Sequence, residues 1–331
     1  MTEPAARPVR WGIMSTANIA RGAFLPGMRH AGGVAEAVAS RDISTAERYA
    51  AEHGISRAIA GYQALIDDPD IDALYIPLPN TLHAEWTIAA LQAGKPVLCE
   101  KPLTGSVAET KRVLDAARQT GTLLWEAFVF PFHQQMARVS AALDGGAIGE
   151  LREIHSAFHF RVGRPDNIRL FSELAGGALN DVGCYPIRLA FELFGEAHRN
   201  AWAHAVPGGH GVDMESVGVL DYSGNRTLML SCGMARSYDT FTRLLGSDGE
   251  IRMTNPFHPS DSDRLEIFGR EHESIPAAAP GEPSFAAAIS HIQAVLAGLE
   301  EPRQLAVDVS LPIALALHDL HECLDLSAQG E

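Results

Sequence analysis

Cysteine is scarce: four in 331 residues, at Cys99, Cys184, Cys232 and Cys323, with no Cys-x-x-Cys pair. That spacing argues against a zinc site or a disulfide framework and fits a reducing compartment, so a cytoplasmic protein is expected. No run of 18 apolar residues occurs, and no membrane span is expected. Met1 to Arg10 is polar, contains two prolines and leads into no apolar targeting segment with a small-residue cleavage site. Positive charge is also short: 26 Lys and Arg against 41 Asp and Glu leave a net charge of −15. A nucleic-acid surface needs a basic stripe, so a nucleic-acid partner is not expected. A small anion needs only one or two local cations and stays open as a ligand. Internal repeats and low-complexity tracts are missing as well. What is present is ordinary for a globular protein: 46% hydrophobic and 20% charged residues. The length exceeds what one core usually carries and implies two domains.

The first third alternates. Val9–Ser15 (VRWGIMS) reads as a buried strand, Asn18–His30 as a helix, and Val34–Ser40 (VAEAVAS) as a second strand. Ser44–His53 reads as a helix capped by Ser44 or Thr45, with Glu47 at capping-box distance from Ser44. Ala73–Leu78, Pro96–Glu100 and Leu123–Phe128 read as strands. Asn80–Ala93, stopped by Gly94, and Val107–Thr120 read as helices. Strand–helix–strand order with short connections specifies a parallel sheet, and strands without polar alternation are those covered on both faces.

Beyond Phe128 the pattern changes. A helix over about Pro131–Leu143 ends at Asp144-Gly145-Gly146, and Ile154, Ser156, Phe158 and Phe160 then alternate. Strand-like runs follow near Trp202 and at Val217–Tyr222, Thr227–Gly233, Thr240–Leu245 and Ile251–Met253. His204–Val212 reads as a hairpin or loop, and one helix near Tyr185–Phe194 interrupts the strands. After the loop Pro276–Pro283, two helices starting near Ser284 and Asp308 close the chain. The expected fold class is α/β. An N-terminal doubly wound parallel Rossmann sheet occupies residues 1–127. A C-terminal α+β domain with an open, mostly antiparallel sheet, for substrate and oligomerisation, occupies residues 128–331.

The first strand runs into Ser15-Thr16-Ala17-Asn18-Ile19-Ala20, where a dinucleotide-binding fold places Gly-x-Gly-x-x-Gly. Positions 15, 17 and 20 hold Ser or Ala instead of glycine. They are still small, as close approach of backbone N–H groups to a pyrophosphate requires, and Ser15 and Thr16 add hydroxyl donors. An ordinary strand-to-helix turn would look the same. The second strand ends in Ser40-Arg41, where an NAD site needs an acidic residue for the ribose 2′-hydroxyl. A guanidinium beside a hydroxyl suits a 2′-phosphate, which favours NADP(H) over NAD; the alternative is a solvated arginine. Asp42, two residues past the strand end, is expected to point away.

Glu100-Lys101-Pro102 follows a strand directly, at the carboxyl end of the sheet where ligands bind in this architecture. A lysine held there can polarise a substrate hydroxyl or lower a neighbour's pKa; a lone lysine at a strand end is more often solvated. In Gly176–Pro186, Asp181 and Tyr185 are four apart and share a face if the turn is helical. Pro186 favours a first helical turn, so the turn holding Asp181 is expected to be irregular. Lys101 nearby would favour the phenolate, lower the Tyr185 pKa, and fit that residue for proton exchange with an alcohol or carbonyl. The alternative is a buried tyrosine capped by a hydrogen bond.

These segments together resemble the glucose–fructose oxidoreductase/inositol dehydrogenase family over about residues 8–325. The resemblance is carried by the strand and STANIA turn, Pro77-Leu78-Pro79-Asn80 with His83, Glu100-Lys101-Pro102, the Gly145–Glu150 segment, and Asp181 with Tyr185. The wording GALNDVGCYP, preceded by Asn167-Ile168-Arg169-Leu170, is most similar to the branch with dihydrodiol dehydrogenases, NADP-dependent xylose dehydrogenases and deoxysugar ketoreductases. The resemblance implies Lys101 hydrogen-bonded to the reacting oxygen, Tyr185 as general acid/base and Asp181 as their orienting group. It implies Pro77, Leu78, Asn80 and His83 flanking the cofactor and Glu100 at the nicotinamide ribose. The glycine-poor turn is the departure from the family.

Other features are weighed against packing. Phe128 stands at a strand exit, as core or as a substrate wall. Arg164, Asn167 and Arg169 are ordinary loop polars or sugar contacts. Cys184 is expected to point away from Asp181 and Tyr185. His318-x-x-His321-Glu322 places its glutamate wrongly for a zinc signature and reads as a solvated face, so no metal is expected. The chain therefore reads as an NADP(H)-dependent dehydrogenase or reductase of a sugar hydroxyl or carbonyl, forming a homodimer or homotetramer. The alternatives are a trans-dihydrodiol or dicarbonyl dehydrogenase and a non-catalytic NADP-binding regulator.

Overall fold

Six strands build the first sheet: β1 (Arg10–Met14), β2 (Val34–Ser40), β3 (Arg57–Ala60), β4 (Ala73–Ile76), β5 (Val97–Cys99) and β6 (Leu124–Glu126). They pair in parallel in the order β3-β2-β1-β4-β5-β6. Every residue of β4, β5 and β6 is buried, because helices cover both faces of the sheet. One layer holds α1 (Leu25–His30) and α2 (Ile43–His53). The other holds α3 (Tyr62–Ile66), α4 (Asn80–Gln92) and α5 (Val107–Thr120). The strand order reverses between β1 and β4, which opens a crevice at the carboxyl ends. The computed structural model describes residues 7–324 and 326, so the ends of both expected domains, including Met1 to Ala6 of the polar N-terminus, lie outside the described residues.

Several local readings are revised. The expected helix Asn18–His30 begins as a π-helical turn, Ala20–Phe24, and only then becomes α1. The N-cap of α2 is Asp42, whose side chain accepts from Ser44 N and Thr45 N; Ser44 and Thr45 are its partners, not the caps. β3 and α3 were not expected, since RAIA at the sheet edge is partly exposed and too short to show a period.

The second sheet has eight strands: β7 (Leu151–Arg161), β8 (Asn200–Pro207), β9 (Asp213–Asp221), β10 (Thr227–Gly233), β11 (Ala235–Gly246), β12 (Glu250–Met253), β13 (Arg264–Phe268) and β14 (His272–Pro276). Their order is β14-β13-β12-β11-β7-β10-β9-β8. All pairs are antiparallel except β7 with β10. β13 and β14 were missed because each is only five residues long, and β14 is in addition polar and at the sheet edge. The inner face packs on α7 (Cys184–Phe194) and on residues 313–320 of α9 (Ala306–Glu322). The other helices are α6 (Gln134–Asp144) and α8 (Ala286–Leu296).

Packing crosses residue 127. Phe285, Ile289 and Ile292, at and in α8, share a core with Trp11 and Phe24 of the first sheet layer. Gly27 of α1 permits this: a Cβ there would stand 2.6 Å from Phe285 Cβ. α9 spans the two halves as well, with Ala306 in the core of the first sheet's other layer and Ile313, Ala316, Leu317 and Leu320 in the core of the second sheet.

Candidate active site

Two π-helical turns face the crevice, Ala20–Phe24 before α1 and Leu179–Gly183 before α7. Such turns concentrate at functional sites because they re-aim side chains. The second is anchored from β9: Asp213 Oδ2 accepts the Leu179 N–H at 2.9 Å and the Ser216 hydroxyl at 2.6 Å. Gly177 runs past this carboxylate at φ 104°, where a Cβ would lie 2.3 Å from Asp213 Oδ1. The irregular turn expected before Pro186 is therefore present, and it delivers Asp181 to Lys101.

Asp181 lies between two cations. Its Oδ1 is 2.9 Å from Lys101 Nζ and its Oδ2 accepts Arg169 Nε–H at 2.6 Å. Lys101 Nζ also donates to the Asp181 carbonyl at 2.6 Å. Burial alone would raise the Asp181 pKa, but Lys101 and Arg169 outweigh it and hold the carboxyl at about 2. Burial would likewise neutralise Lys101, and Asp181 reverses that, so the ammonium stays charged. Arg169, one of the expected loop polars or sugar contacts, thus completes a cation–carboxylate–cation row from its half-buried end.

Tyr185, in the first turn of α7, is 6% exposed. Its ring lies 5.1 to 5.5 Å from those of Phe128, Phe158, Phe257 and His258. Lys101 Nζ is 5.1 Å from its centroid. The expected fall in its pKa does not occur: burial raises it well above the ordinary phenol value, and Lys101 only moderates the rise. The magnitudes explain why. A unit charge at about 5 Å contributes about 3 kcal/mol at an effective dielectric near 20, or about 2 pK units. Full burial shifts a pKa by about 3–5 units, and Asp181 cancels part of the lysine's field. Tyr185 is thus a protonated phenol beside a fixed cation.

His258, which no motif announced, also stands in this cluster. Burial, with the charges of His133 and Lys101, lowers its pKa to about 3. It is neutral at physiological pH and donates no imidazolium proton. Glu100 is held by the Tyr75 hydroxyl, which donates to Oε1 at 2.7 Å, and by the Lys101 N–H at 3.3 Å from Oε2. Tyr75 sits inside an apolar strand, where sequence offers no sign of such a role.

These groups border a cavity of about 860 Å³. From the first sheet side come Ala17, Asn18, Ile19, Gly22, Pro77, Leu78, Asn80, Glu100 and Lys101; from the second come Phe158, Phe160, Arg164, Asn167, Arg169, Asp181, Tyr185, Tyr238 and His258. Phe285 adds a contact from the start of α8. Asn80 Nδ2 donates to the Ala175 carbonyl at 2.9 Å and so bridges the two sides.

Other expected residues lie off the cavity or are taken up by partners of their own. Ser15 Oγ donates to the Pro77 carbonyl at 3.0 Å and accepts the Ala17 N–H at 3.2 Å, so its hydroxyl serves its own turn. Thr16 lies in that turn, half-buried. Ser40 and Arg41 stand at the end of β2, Arg41 exposed, beyond the cavity lining. Asp42 does turn away, toward α2. His83 does not flank the cavity: it is fully buried, with Nδ1 3.0 Å from the Pro102 carbonyl and Nε2 2.8 Å from that of Leu78. Phe128 is core behind Tyr185 and not a substrate wall. Arg164 is exposed and paired with Asp166; the Asn167 side chain accepts from Arg169 N. Cys184 Sγ lies 3.5 Å from the Asp181 carbonyl rather than clear of that residue. His321 is part-buried against Asn180 Oδ1 at 3.1 Å, so that helix face is not simply solvated.

Comparison with known proteins agrees with this arrangement. Residues 9–128 match the model described as "Oxidoreductase family, NAD-binding Rossmann fold", and residues 136–252 match the GFO/IDH/MocA C-terminal domain. The chain is 40% identical to the dTDP-3,4-didehydro-2,6-dideoxy-alpha-D-glucose 3-reductase of Streptomyces violaceoruber, over 82% of this chain and 81% of that one. It is 36% identical to D-xylose 1-dehydrogenase (NADP(+)) 2 of Haloferax volcanii, over 78% of this chain and 79% of the other. A crystal structure of KijD10, a 3-ketoreductase from Actinomadura kijaniata in complex with NADP and TDP-benzene, matches with a TM-score of 0.87 and 32% identity, over 96% of this chain and 98% of that one. A crevice at the strand reversal, a lysine–aspartate pair beside a buried tyrosine, and matches in both domains lead to one conclusion: the chain belongs to the GFO/IDH/MocA oxidoreductase family.

Proposed function

We propose that the protein interconverts a hydroxyl and a carbonyl on a sugar with NADP(H). The observation that carries this reading is the ionised Lys101–Asp181 pair set against the protonated Tyr185 phenol at the carboxyl ends of the parallel sheet. The crevice residues fit the cofactor. Ser15 adopts φ 145°, a conformation where glycine is usual, and Ala17, Gly22 and Ala23 keep the adjacent wall small. Asn18, Ile19, Pro77, Leu78 and Asn80 would flank it, and Glu100 would face its nicotinamide ribose. When bound, NADP(H) supplies or accepts the hydride.

The protein's own residues handle the proton and the charge. In reduction Tyr185 gives its phenolic proton to the carbonyl oxygen as negative charge develops there. Lys101 stabilises that charge and the resulting phenolate. Asp181 keeps Lys101 protonated and in place, and Arg169 keeps Asp181 ionised. Oxidation runs the same transfers backwards.

The test is a turnover panel of aldoses, nucleotide-linked keto-sugars and aromatic dihydrodiols with both cofactors. NADP(H)-linked turnover of a sugar is expected. The dihydrodiols belong in the panel because Phe158, Phe160 and Tyr238 line the substrate side with aromatic rings. Turnover of dihydrodiols alone would replace the sugar reading, and no turnover with tight NADPH binding would leave a non-catalytic binder. In the same assay Arg41→Ala is expected to raise KM for NADPH about 10- to 100-fold, the worth of about 1.5–3 kcal/mol for a charged hydrogen bond, and to leave NADH unchanged. Equal effects on both cofactors would remove the 2′-phosphate assignment.

The outer face of the second sheet exposes Trp202, Val206, Val217, Met229 and Phe241, with Trp202 57% accessible. We assign this apolar face to a second copy of the chain. Light scattering is expected to give a dimer or tetramer mass that Trp202→Asp lowers; a monomeric native protein would contradict the assignment.

A further inference from the structure

Glu126, the last residue of β6, is 6% exposed and takes no part in the chemistry above. Its carboxylate ties separate elements together. Oε1 accepts the Leu103 N–H at 2.7 Å, two residues beyond Lys101. Oε2 accepts the hydroxyl of Ser310, in α9, at 2.6 Å. Arg188 of α7, three residues beyond Tyr185, is 1% exposed and its charge favours the Glu126 carboxylate. The other titratable groups that feel it are Lys101, Cys99 at the end of β5 and Cys184 at the start of α7. A buried carboxylate is a costly way to fill a core position that an apolar side chain could occupy.

We propose that Glu126 is a positioning residue that holds the Lys101–Leu103 segment in register with α7 and α9, so that Lys101 meets Asp181 and the Tyr185 ring. Its importance for turnover rests on the hydride-transfer reading above. Burial raises the Glu126 pKa most strongly, and despite Ser310, Leu103, Arg188 and Lys101 it stands at about 7. The carboxylate bond to Leu103 is therefore charge-assisted above neutrality and weaker below it.

Glu126→Ala is expected to lower kcat about 10- to 100-fold, the usual result of displacing a reacting group by about an ångström, with NADPH affinity within about three-fold. Its crystal structure is expected to show the Lys101–Asp181 contact opened. Glu126→Gln can still accept from Leu103 and can donate to Ser310 Oγ. It is expected to keep the contact and to turn over at the wild-type acid-side rate at every pH, without the inflection at about 7 expected of the native enzyme. Melting curves give a readout free of activity. A raised carboxyl pKa contributes stability that is complete below the unfolded value and is lost as pH rises through about 7. Glu126→Gln is therefore expected to gain in melting temperature over wild type as the pH passes through that range.

Unchanged kcat with an intact Lys101–Asp181 contact in Glu126→Ala would overturn the proposal, as would an inflection that persists in Glu126→Gln. If the alanine variant does not fold, Glu126→Gln and Ser310→Ala decide it by the same pH profile and structure. If the native protein turns over no substrate, the hydride-transfer reading fails. The structure of the variant and the melting profile then still decide the role of Glu126.

Discussion

Tyr185→Phe is expected to lower kcat for carbonyl reduction by about 10²- to 10⁴-fold, the usual worth of a positioned general acid. NADPH affinity and melting temperature are expected to stay close to native, since phenylalanine keeps the ring contacts with Phe128, Phe158 and Phe257. Neither neighbour can replace the lost proton. Lys101 is locked as an ammonium by Asp181, and His258 is neutral below, as well as at, physiological pH. Steady-state kinetics and a fluorescence titration of NADPH separate the two effects. Retained turnover would move the acid to another group or to water.

Lys101→Met is expected to lower kcat by about 10²- to 10³-fold, the scale of one lost charge-stabilising donor in a dry site. It has a second signature that Tyr185→Phe lacks. Without the ammonium, the field that favours the Tyr185 phenolate is gone. The limb of the oxidation rate that rises with pH, set by ionisation of Tyr185, is expected to move upward. The variant also leaves Asp181 with Arg169 as its one close cation, so its melting temperature is expected to fall. A pH–rate profile in the oxidative direction is the decisive measurement. A slower enzyme with an unmoved limb would show that Lys101 acts on the substrate oxygen and not on the phenol.

Much of the architecture was legible along the chain, for a local reason. The parallel strands are contiguous apolar runs, and their helices begin and end at turn residues a few positions apart. The strand β10 coincides with the reading Thr227–Gly233, and β2 with Val34–Ser40. Elements whose character comes from their neighbours escaped. β3 and β14 are edge strands without a clear period, and α2 takes its cap from Asp42, two residues before Ser44 of the Ser44–Thr45 pair.

The site divides in the same way. Lys101, Asp181 and Tyr185 stand out by type, spacing and position at a strand end or helix start, and sequence alone brought them forward as a set. Tertiary structure decided what each does to the others. Lys101 and Asp181 are 80 residues apart in the chain yet within 2.9 Å in space. Arg169 as the second cation, Tyr75 on Glu100, His83 behind the cavity wall and Glu126 beneath the lysine turn all depend on contacts between distant segments. The sign of the Tyr185 shift depends on how much water is excluded around the ring, and only the packed aromatic cluster sets that. Periodicity and turn chemistry act over a few residues and can be read in order. Burial and charge act through space, at distances the order of residues does not record.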